Sequence, residues 1–377
     1  MVKKTAFVYA DNLSRHVLSE GHPMKPVRLR YTYELLDAYG AFETPYARLV
    51  EPRQATEEEV LTYHSPEYLR AVQSLSRGET GLNQRRFNFG PGDNPFYDGI
   101  YEASSWSTGA SLKAAEMLVS GEAEAAFSIS GGLHHAMPGY AYGFCVFNDP
   151  VIAIKALLAE GLRVAYVDID CHHGDGVQHA FYDTDAVLTI SIHESGAFLF
   201  PGTGFTQETG AGRGRGYSVN LPLYPYTTDE TYLWAFQQVV PRLLEAFQPD
   251  VLVSQLGIDS HFKDPITHLG LTVQGFGRVV AELGRLAPQR WLALGGGGYD
   301  LQAVARSWTL AYGIMSEQGF PDEIPESYRN HYGVDTLPDT EQISLTDQIE
   351  KDVKTFAESS VSAVHHLIFP AHGIRVA

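Results

Sequence analysis

A chain of 377 residues can bury a substantial core, as one large α/β unit or two ordinary ones. Apolar residues make up 44% and charged residues 19%, which excludes a disordered chain. The 27 basic against 45 acidic residues leave −18, which argues against nucleic acid, whose phosphates demand a basic face, and is compatible with a cationic substrate. Two cysteines, Cys145 and Cys171, cannot make a disulfide framework, and no apolar run nears the length of a membrane span. The apolar run in the opening MVKKTAFVYAD stops at Asp11, short of a secretory signal, so a soluble cytoplasmic protein is expected.

Short apolar runs alternate with helical patterns along the chain. TAFVYA (5–10) reads as a first strand, followed by helix candidates over 28–39 and 56–75. Thr56 with Glu59 fits a capping box, and Ser65 before Pro66 fits an N-cap with proline in the first turn. A helix over 100–119, the strand EAAFSIS (124–130) and a helix over 149–160 come next. The strands RVAYVDI (163–169) and AVLTISI (186–192) precede a helix over 229–247. DVLVSQL (250–256), a helix over 273–287, RWLALG (290–295) and a helix over 301–317 complete the series. Continuously apolar strands alternating with helices predict an α/β fold: a single-domain open parallel β-sheet with helices on both faces. The domain is taken as 1–377, with the tail after about 330 less defined. TGAGRGRGYS (209–218) reads as a loop; it does not lie between a strand and a helix, so it is no dinucleotide fingerprint.

Ligands of open parallel sheets sit beyond the carboxyl ends of the strands, and four of these strands end in reactive side chains. The first leads to His134 and His135, the next to Asp168, Asp170, His172, His173 and Asp175, the third to Asp259, and the last to Tyr299 after four glycines. If the extended chain runs on through residue 172, Asp168, Asp170 and His172 share one face by the period-two rule. Carboxylates crowded beside an imidazole are most simply explained by a divalent cation with an open position, a catalytic rather than a structural layout. Asp170, His172 and Asp259 form one possible ligand set, leaving Asp168 and Asp175 to orient the two histidines through a ring nitrogen. Tyr299 can donate to a developing oxyanion. Singly, each feature has a blander reading: aspartates as helix caps, Phe144 and Phe200 as core, GGGG as a turn. It is the convergence of four strand ends that points to a hydrolytic site.

These residues resemble the histone deacetylase family, within the arginase-like fold group. The likeness runs from about residue 5 to about 330 through GHPMKPVRLR (21–30), GGLHHAMPGYAYGFCVFND (131–149), YVDIDCHHGDGVQHAFY (166–182), FPGTG (200–204), YSVNLPL (217–223), GIDSHFKDPITHLGLT (257–272) and LALGGGGYD (292–300). DSHFKDPITHLGLT and RSWTLAYG look closer to the bacterial acetoin-utilisation deacetylases than to the eukaryotic class I enzymes.

The resemblance implies a metal-dependent deacetylase with zinc on Asp170, His172 and Asp259; ferrous iron tolerates the same ligands. It pairs His134 with Asp168 and His135 with Asp175, makes His135 the general base and then acid, gives His134 an electrostatic role, and sets Tyr299 to polarise the acetyl carbonyl. Gly143, Phe144 and Phe200 would form the tunnel around the lysine stem, with Ile266 at its rim. Asp93 would grip substrate backbone amides, and Arg28 would lie beneath the site near an acetate exit channel. Potassium is implied at two sites: one from Asp168, Asp170, His172, Ser191 and Ile192, the other from Phe181, Thr184, Val187 and Tyr217. The implied substrate is an acetylated lysine in a protein or peptide, acetyl-CoA synthetase among the candidates, with acetylpolyamines as the alternative. No nucleic-acid or membrane partner is expected.

Two departures stand out. Ile266 is neither the leucine or methionine of class I enzymes nor the glutamate of polyamine-selective relatives. SIHESGAF (191–198) carries Glu194 where the eukaryotic pattern has lysine, leaving surface recognition there unassigned. His173, His179, His193, His261 and His268 are read as packing or hydrogen-bonding residues. Two rival functions are guanidine hydrolysis by paired manganese, which needs more bridging carboxylates, and non-catalytic binding of acetylated ligands, which leaves the intact site unexplained.

Overall fold

The computed structural model describes residues 3–15, 17–79 and 81–375. Its centre is one eight-stranded sheet, parallel throughout, in the order β2-β1-β3-β8-β7-β4-β5-β6. The strands are β1 (Thr5–Val8), β2 (Ala47–Val50), β3 (Ala125–Ser128), β4 (Val164–Asp168), β5 (Val187–Glu194), β6 (Ser218–Leu223), β7 (Val251–Gln255) and β8 (Arg290–Leu294). The central strands are buried along their whole length, as a parallel sheet covered on both faces requires. Helices Val27–Ala38, Leu301–Met315, Val273–Leu286, Asp229–Phe247 and Asp347–Leu367 pack side by side in one series. Pro66–Ser76, Ile100–Ser120, Asp149–Ala159 and Asp175–Phe181 form a second. No helix among the described residues is long and apolar enough to cross a membrane.

The six expected strands are all present, and β2 and β6 are added to them at the two sheet edges. β2 is short and has two exposed residues, so it lacks the apolar run that marks a central strand. β6 carries Asn220 and Pro222; proline cannot donate to a ladder and is tolerated on an edge. The expected helix over 56–75 is two helices, Glu57–Val60 and Pro66–Ser76. Proline 66 disfavours helical geometry at Ser65, which instead caps the second helix by accepting from Tyr68 N–H. The capping box of Thr56 and Glu59 is formed.

The tail is an integral layer. Val353, Ala357, Ser360, Val361 and Val364 lie on one buried stripe of helix Asp347–Leu367, which covers β6. Before it, Asp339 turns inward, its side chain 4% exposed. Its carboxylate meets His261 Nε2 at 2.8 Å, the Val273 N–H at 2.8 Å and the Arg306 guanidinium at 2.8 Å. Burial alone would raise Asp339, but these partners outweigh it and bring it down to about 2. Asp339→Ala leaves Arg306 and His261 without their buried partner and is expected to lower unfolding stability by about 3 kcal/mol in urea titrations. A depressed carboxylate stabilises the fold above its unfolded value near 4 and loses that contribution as pH falls toward 2. The difference between parent and variant should therefore shrink across that window, and a gap independent of pH would contradict the assignment.

Candidate active site

The four strands that end in reactive residues are β3, β8, β7 and β4, which are consecutive neighbours in the sheet. Residues far apart in the chain are thereby delivered to one stretch of the carboxyl rim. The extended run does not continue to 172; β4 stops at Asp168, and the following turn separates the aspartates by role.

Asp170, His172 and Asp259 are buried, and one ligand atom from each lies within 4.8 Å of the others. His172 Nδ1 is 2.9 Å from Asp259 Oδ2 and 3.2 Å from Asp170 Oδ1. A single ring nitrogen can give its one proton to only one of two carboxylates, so hydrogen bonding does not account for all three converging. The remaining oxygens are tied back by the protein. Asp170 Oδ2 accepts from Gln255 Nε2 and from Gly297 N–H, each at 2.7 Å, and Asp259 Oδ1 accepts from Cys171 N–H at 2.7 Å. Burial, and then the charge of Asp170, raise Asp259 to about 6. Burial would likewise lower His172, but Asp259 and Asp170 carry it up to about 10. Against burial, neighbouring histidines hold Asp170 well below its ordinary value while Asp259 stays raised, and two crowded, oriented carboxylates beside an imidazole suit a divalent cation.

Next to this trio stand two histidine–carboxylate pairs. His134 Nδ1 is 2.8 Å from Asp168 Oδ2, which also accepts from the buried Tyr166 hydroxyl at 2.7 Å. His135 Nδ1 is 2.6 Å from Asp175 Oδ1. The two Nε2 atoms face each other at 3.1 Å. Burial pushes both rings down, but Asp168 and Asp170 lift His134 to about 9, whereas His134 and His172 hold His135 well below its ordinary value. The turn bearing them is fixed by the buried Asp149, which accepts from the N–H groups of Gly132 and Leu133 and from Ser111.

A cavity of about 330 Å³ reaches this chemistry from the surface, lined by Asp93, His135, Gly143, Phe144, His172, Phe200, Ile266 and Tyr299, with Pro23 and Leu199 beside them. Every residue expected along the tunnel is therefore on one wall or another. Gly143 has φ +51°, and a Cβ there would lie 2.4 Å from the His135 ring. Phe144 is also left-handed, at φ 70°, and is held by its N–H to Asn94 Oδ1 at 3.0 Å. Phe200 packs edge-on to His135 at 5.1 Å and Phe144 to Tyr299 at 5.8 Å. Burial, then the charges of Asp259 and Asp170, hold the Tyr299 phenol well above its usual value, so it stays a donor. Asp264 pins the Tyr299 backbone by accepting its N–H at 2.8 Å.

Arg28 is buried behind the tunnel, donating to the Gly298 carbonyl at 2.8 Å. It lines a second cavity of about 110 Å³ that shares Phe144 with the first. Of the residues linked to potassium, Ser191 is the register partner of Asp168 and precedes Ile192 on β5. Phe181 ends a helix, Thr184 follows it, Val187 opens β5, and Tyr217 precedes β6. Glu194 is not a surface residue: it is 1% exposed and accepts from His268 N–H, with His268 Nδ1 3.0 Å away. Gln255, Asp149, Tyr166, Asn94 and Asp264 were not expected in the site. The signal for Gln255 and Tyr166 is a polar group at the end of, or two residues before, an acid on an otherwise apolar strand.

Residues 22–315 match the histone deacetylase domain family. The chain is 39% identical over 333 residues to the acetoin utilization protein AcuC of Bacillus subtilis (strain 168), covering 85% of this chain and 86% of that protein. It is 38% identical over 350 residues to human histone deacetylase 1, covering 92% of this chain and 72% of that one. A crystal structure of an HDAC homolog from Aquifex aeolicus superposes with a TM-score of 0.86 at 30% identity, covering 95% of this chain and all of that one.

Gly297 offers a direct test of the cation site. A Cβ there would stand 2.1 Å from Asp259 Oδ2 and 2.9 Å from Asp170 Oδ2. Gly297→Ala is expected to weaken divalent-metal binding on the order of 10- to 100-fold, as changes behind the ligands do, with unaltered secondary structure. Metal content after dialysis against graded chelator measures it.

Proposed function

The chain belongs to the histone deacetylase family, hydrolases of acetylamide bonds, and from that premise we propose that it removes acetyl groups from the ε-amine of lysine in proteins or peptides. What carries this reading is the cavity itself: a passage between Phe144 and Phe200 that suits a four-carbon stem and ends at His135 and Tyr299. Ile266 on that wall offers no charge to a polyamine, which supports the lysine reading over acetylpolyamines. Asp93 at the mouth would accept substrate backbone N–H groups.

Asp170, His172 and Asp259 would hold the metal, zinc or ferrous iron. Bound there, it supplies Lewis-acid polarisation of the acetyl carbonyl and eases ionisation of water. His135 is the general base. Asp175 accepts a hydrogen bond from its Nδ1–H, and its environment keeps the ring neutral, so the Nε2 lone pair can receive a proton from the attacking water. His134, held cationic by Asp168, stabilises negative charge as the carbon–oxygen bond forms. Tyr299 donates to the carbonyl oxygen as it gains charge. His135 then returns its proton to the lysine nitrogen as the carbon–nitrogen bond breaks. Acetate would leave through the cavity beside Arg28.

Potassium is proposed at the two sites named above, the first setting a monovalent charge beside Asp168. The protein is placed in the cytoplasm, where the free, buried Cys145 and Cys171 stay reduced. Acetyl-CoA synthetase is one protein substrate to try.

Stripped enzyme reloaded with zinc, iron or manganese and offered acetyl-lysine peptides and acetylpolyamines tests the proposal. Peptide turnover with one catalytic ion per chain is expected. Turnover of acetylpolyamines alone would overturn the lysine reading, and two tightly held manganese ions would favour guanidine hydrolysis. Tyr299→Phe should lower kcat on the order of 100-fold with KM little changed, as lost oxyanion donors do. Near-full kcat in that variant would remove Tyr299 from the mechanism.

A further inference from the structure

Beside the tunnel mouth lies a wider groove of about 560 Å³, lined by Arg85, Asn88, Asp93, Asn94 and Tyr142 among others. It is continuous with the tunnel wall. Asp93 lines both spaces, Asn94 holds the backbone of Phe144, and Tyr142 packs on Phe200 at 4.8 Å. A substrate chain whose acetyl-lysine fills the tunnel passes Asp93 and enters this groove. The groove's glycines leave its backbone open: a Cβ on Gly90 or Gly92 would meet nothing within 4 Å.

Arg85 is the uncommitted charge here. It is exposed, and its guanidinium makes no hydrogen bond or ion pair among the described residues. Its neighbour Arg86 is employed otherwise, pairing with Glu67 at 2.9 Å and lying over Phe87. In a chain of net charge −18, a free cation on the wall of this groove stands out; Asp93, the acid that shares the lining, sits on the side of the tunnel mouth. Screening confines its influence to roughly 8–10 Å, so it acts on whatever occupies the groove and little else. The planar fork of a guanidinium matches a carboxylate with two parallel hydrogen bonds.

We propose that this groove is a substrate subsite in which Arg85 receives the carboxylate of an acidic residue flanking the acetyl-lysine. The proposal rests on the deacetylase reading and narrows its substrate to acetyl-lysine in an acidic context. A polyamine would bring positive charge to the same place.

The test uses metal-loaded full-length enzyme and C-terminally amidated acetyl-lysine peptides carrying Glu, Ala or Lys at each flanking position. At one flank the expected order of kcat/KM is Glu over Ala over Lys, with Glu favoured about two- to fivefold through KM, the reach of one exposed ion pair. Each variant is normalised to its own Ala peptide. The preference should disappear in Arg85→Ala, invert in Arg85→Glu, survive in Arg85→Lys and shrink as salt is raised. Equal handling of the Glu and Ala peptides by the parent enzyme, or an unaltered ratio in Arg85→Glu, would overturn the subsite. Fluorescence anisotropy of the same peptides repeats the comparison without turnover. Loss of hydrolysis on every peptide with the binding preference intact would thus indict the deacetylase reading, and equal binding would indict the subsite.

Discussion

Asp170 and Asp259 are two carboxylates in one buried place, and the surrounding architecture is organised around keeping them there. Taking a single ionised carboxylate out of water is unfavourable; bringing a second to the same point adds repulsion at low dielectric. The protein meets this by spending its own N–H groups on the outward oxygens, from Gln255, Gly297 and Cys171, and by turning the inward oxygens toward His172. The inward side is still short of positive charge, as the elevated Asp259 shows. A divalent ion held by Asp170, His172 and Asp259 would close that deficit. Glycine at 257 and 297 follows from the same constraint, because a Cβ at either position would stand about 2 Å from a carboxylate oxygen.

The strand order makes this concentration possible. The chain runs β3 to β4 by skipping two places, extends outward to β5 and β6, then returns to fill the gap with β7 and β8. The late strands therefore enter between the strand ends that lead to His134 and Asp170, and bring Asp259 and Tyr299 to the same rim. Parallel strands deliver all four ends to the same rim. The tail helix covering β6 and the Asp339 clamp on His261, two residues from Asp259, brace the far side of this arrangement.

Much of this was legible in the sequence because the central strands are continuous apolar runs that stop abruptly at ionisable residues. Asp170, His172 and Asp259 could be offered as one ligand set because reactive residues end neighbouring strands, and the family resemblance chose that set among the alternatives. The edge strands could not, because β2 is half exposed and β6 contains proline, so neither shows the period or composition of a buried strand. Glu194 drew notice only as a departure from a family lysine; that it is buried against His268, 74 residues away, has no local sequence signal. Asp149 was likewise indistinguishable from an ordinary helix-start aspartate, although its carboxylate holds the turn before the paired histidines. Long-range pairing of polar groups has no periodic signature, and that is where sequence reading stops.

The two histidines share a type, a partner type and a neighbourhood, yet they are tuned in opposite directions. Against burial, Asp168 and Asp170 lift His134, whereas burial, His134 and His172 hold His135 down. Burial raises both partner carboxylates, Asp175 to about 7, and each lies against a ring nitrogen, 2.6 Å from His135 and 2.8 Å from His134. The difference arises from the charges each imidazole meets, since Asp168 ends β4 and Asp175 opens the helix Asp175–Phe181. A neutral ring with an inward Nε2 can accept a proton, and a positive charge 3.1 Å away disfavours keeping it, which suits a group that passes the proton on. Separating the protonation states of adjacent groups through their neighbours is how one fold places an acid and a base side by side near neutrality. Here Asp170 is both one of the three residues that could hold a cation and, after Asp168, a source of the field that lifts His134, so the two clusters are electrostatically linked.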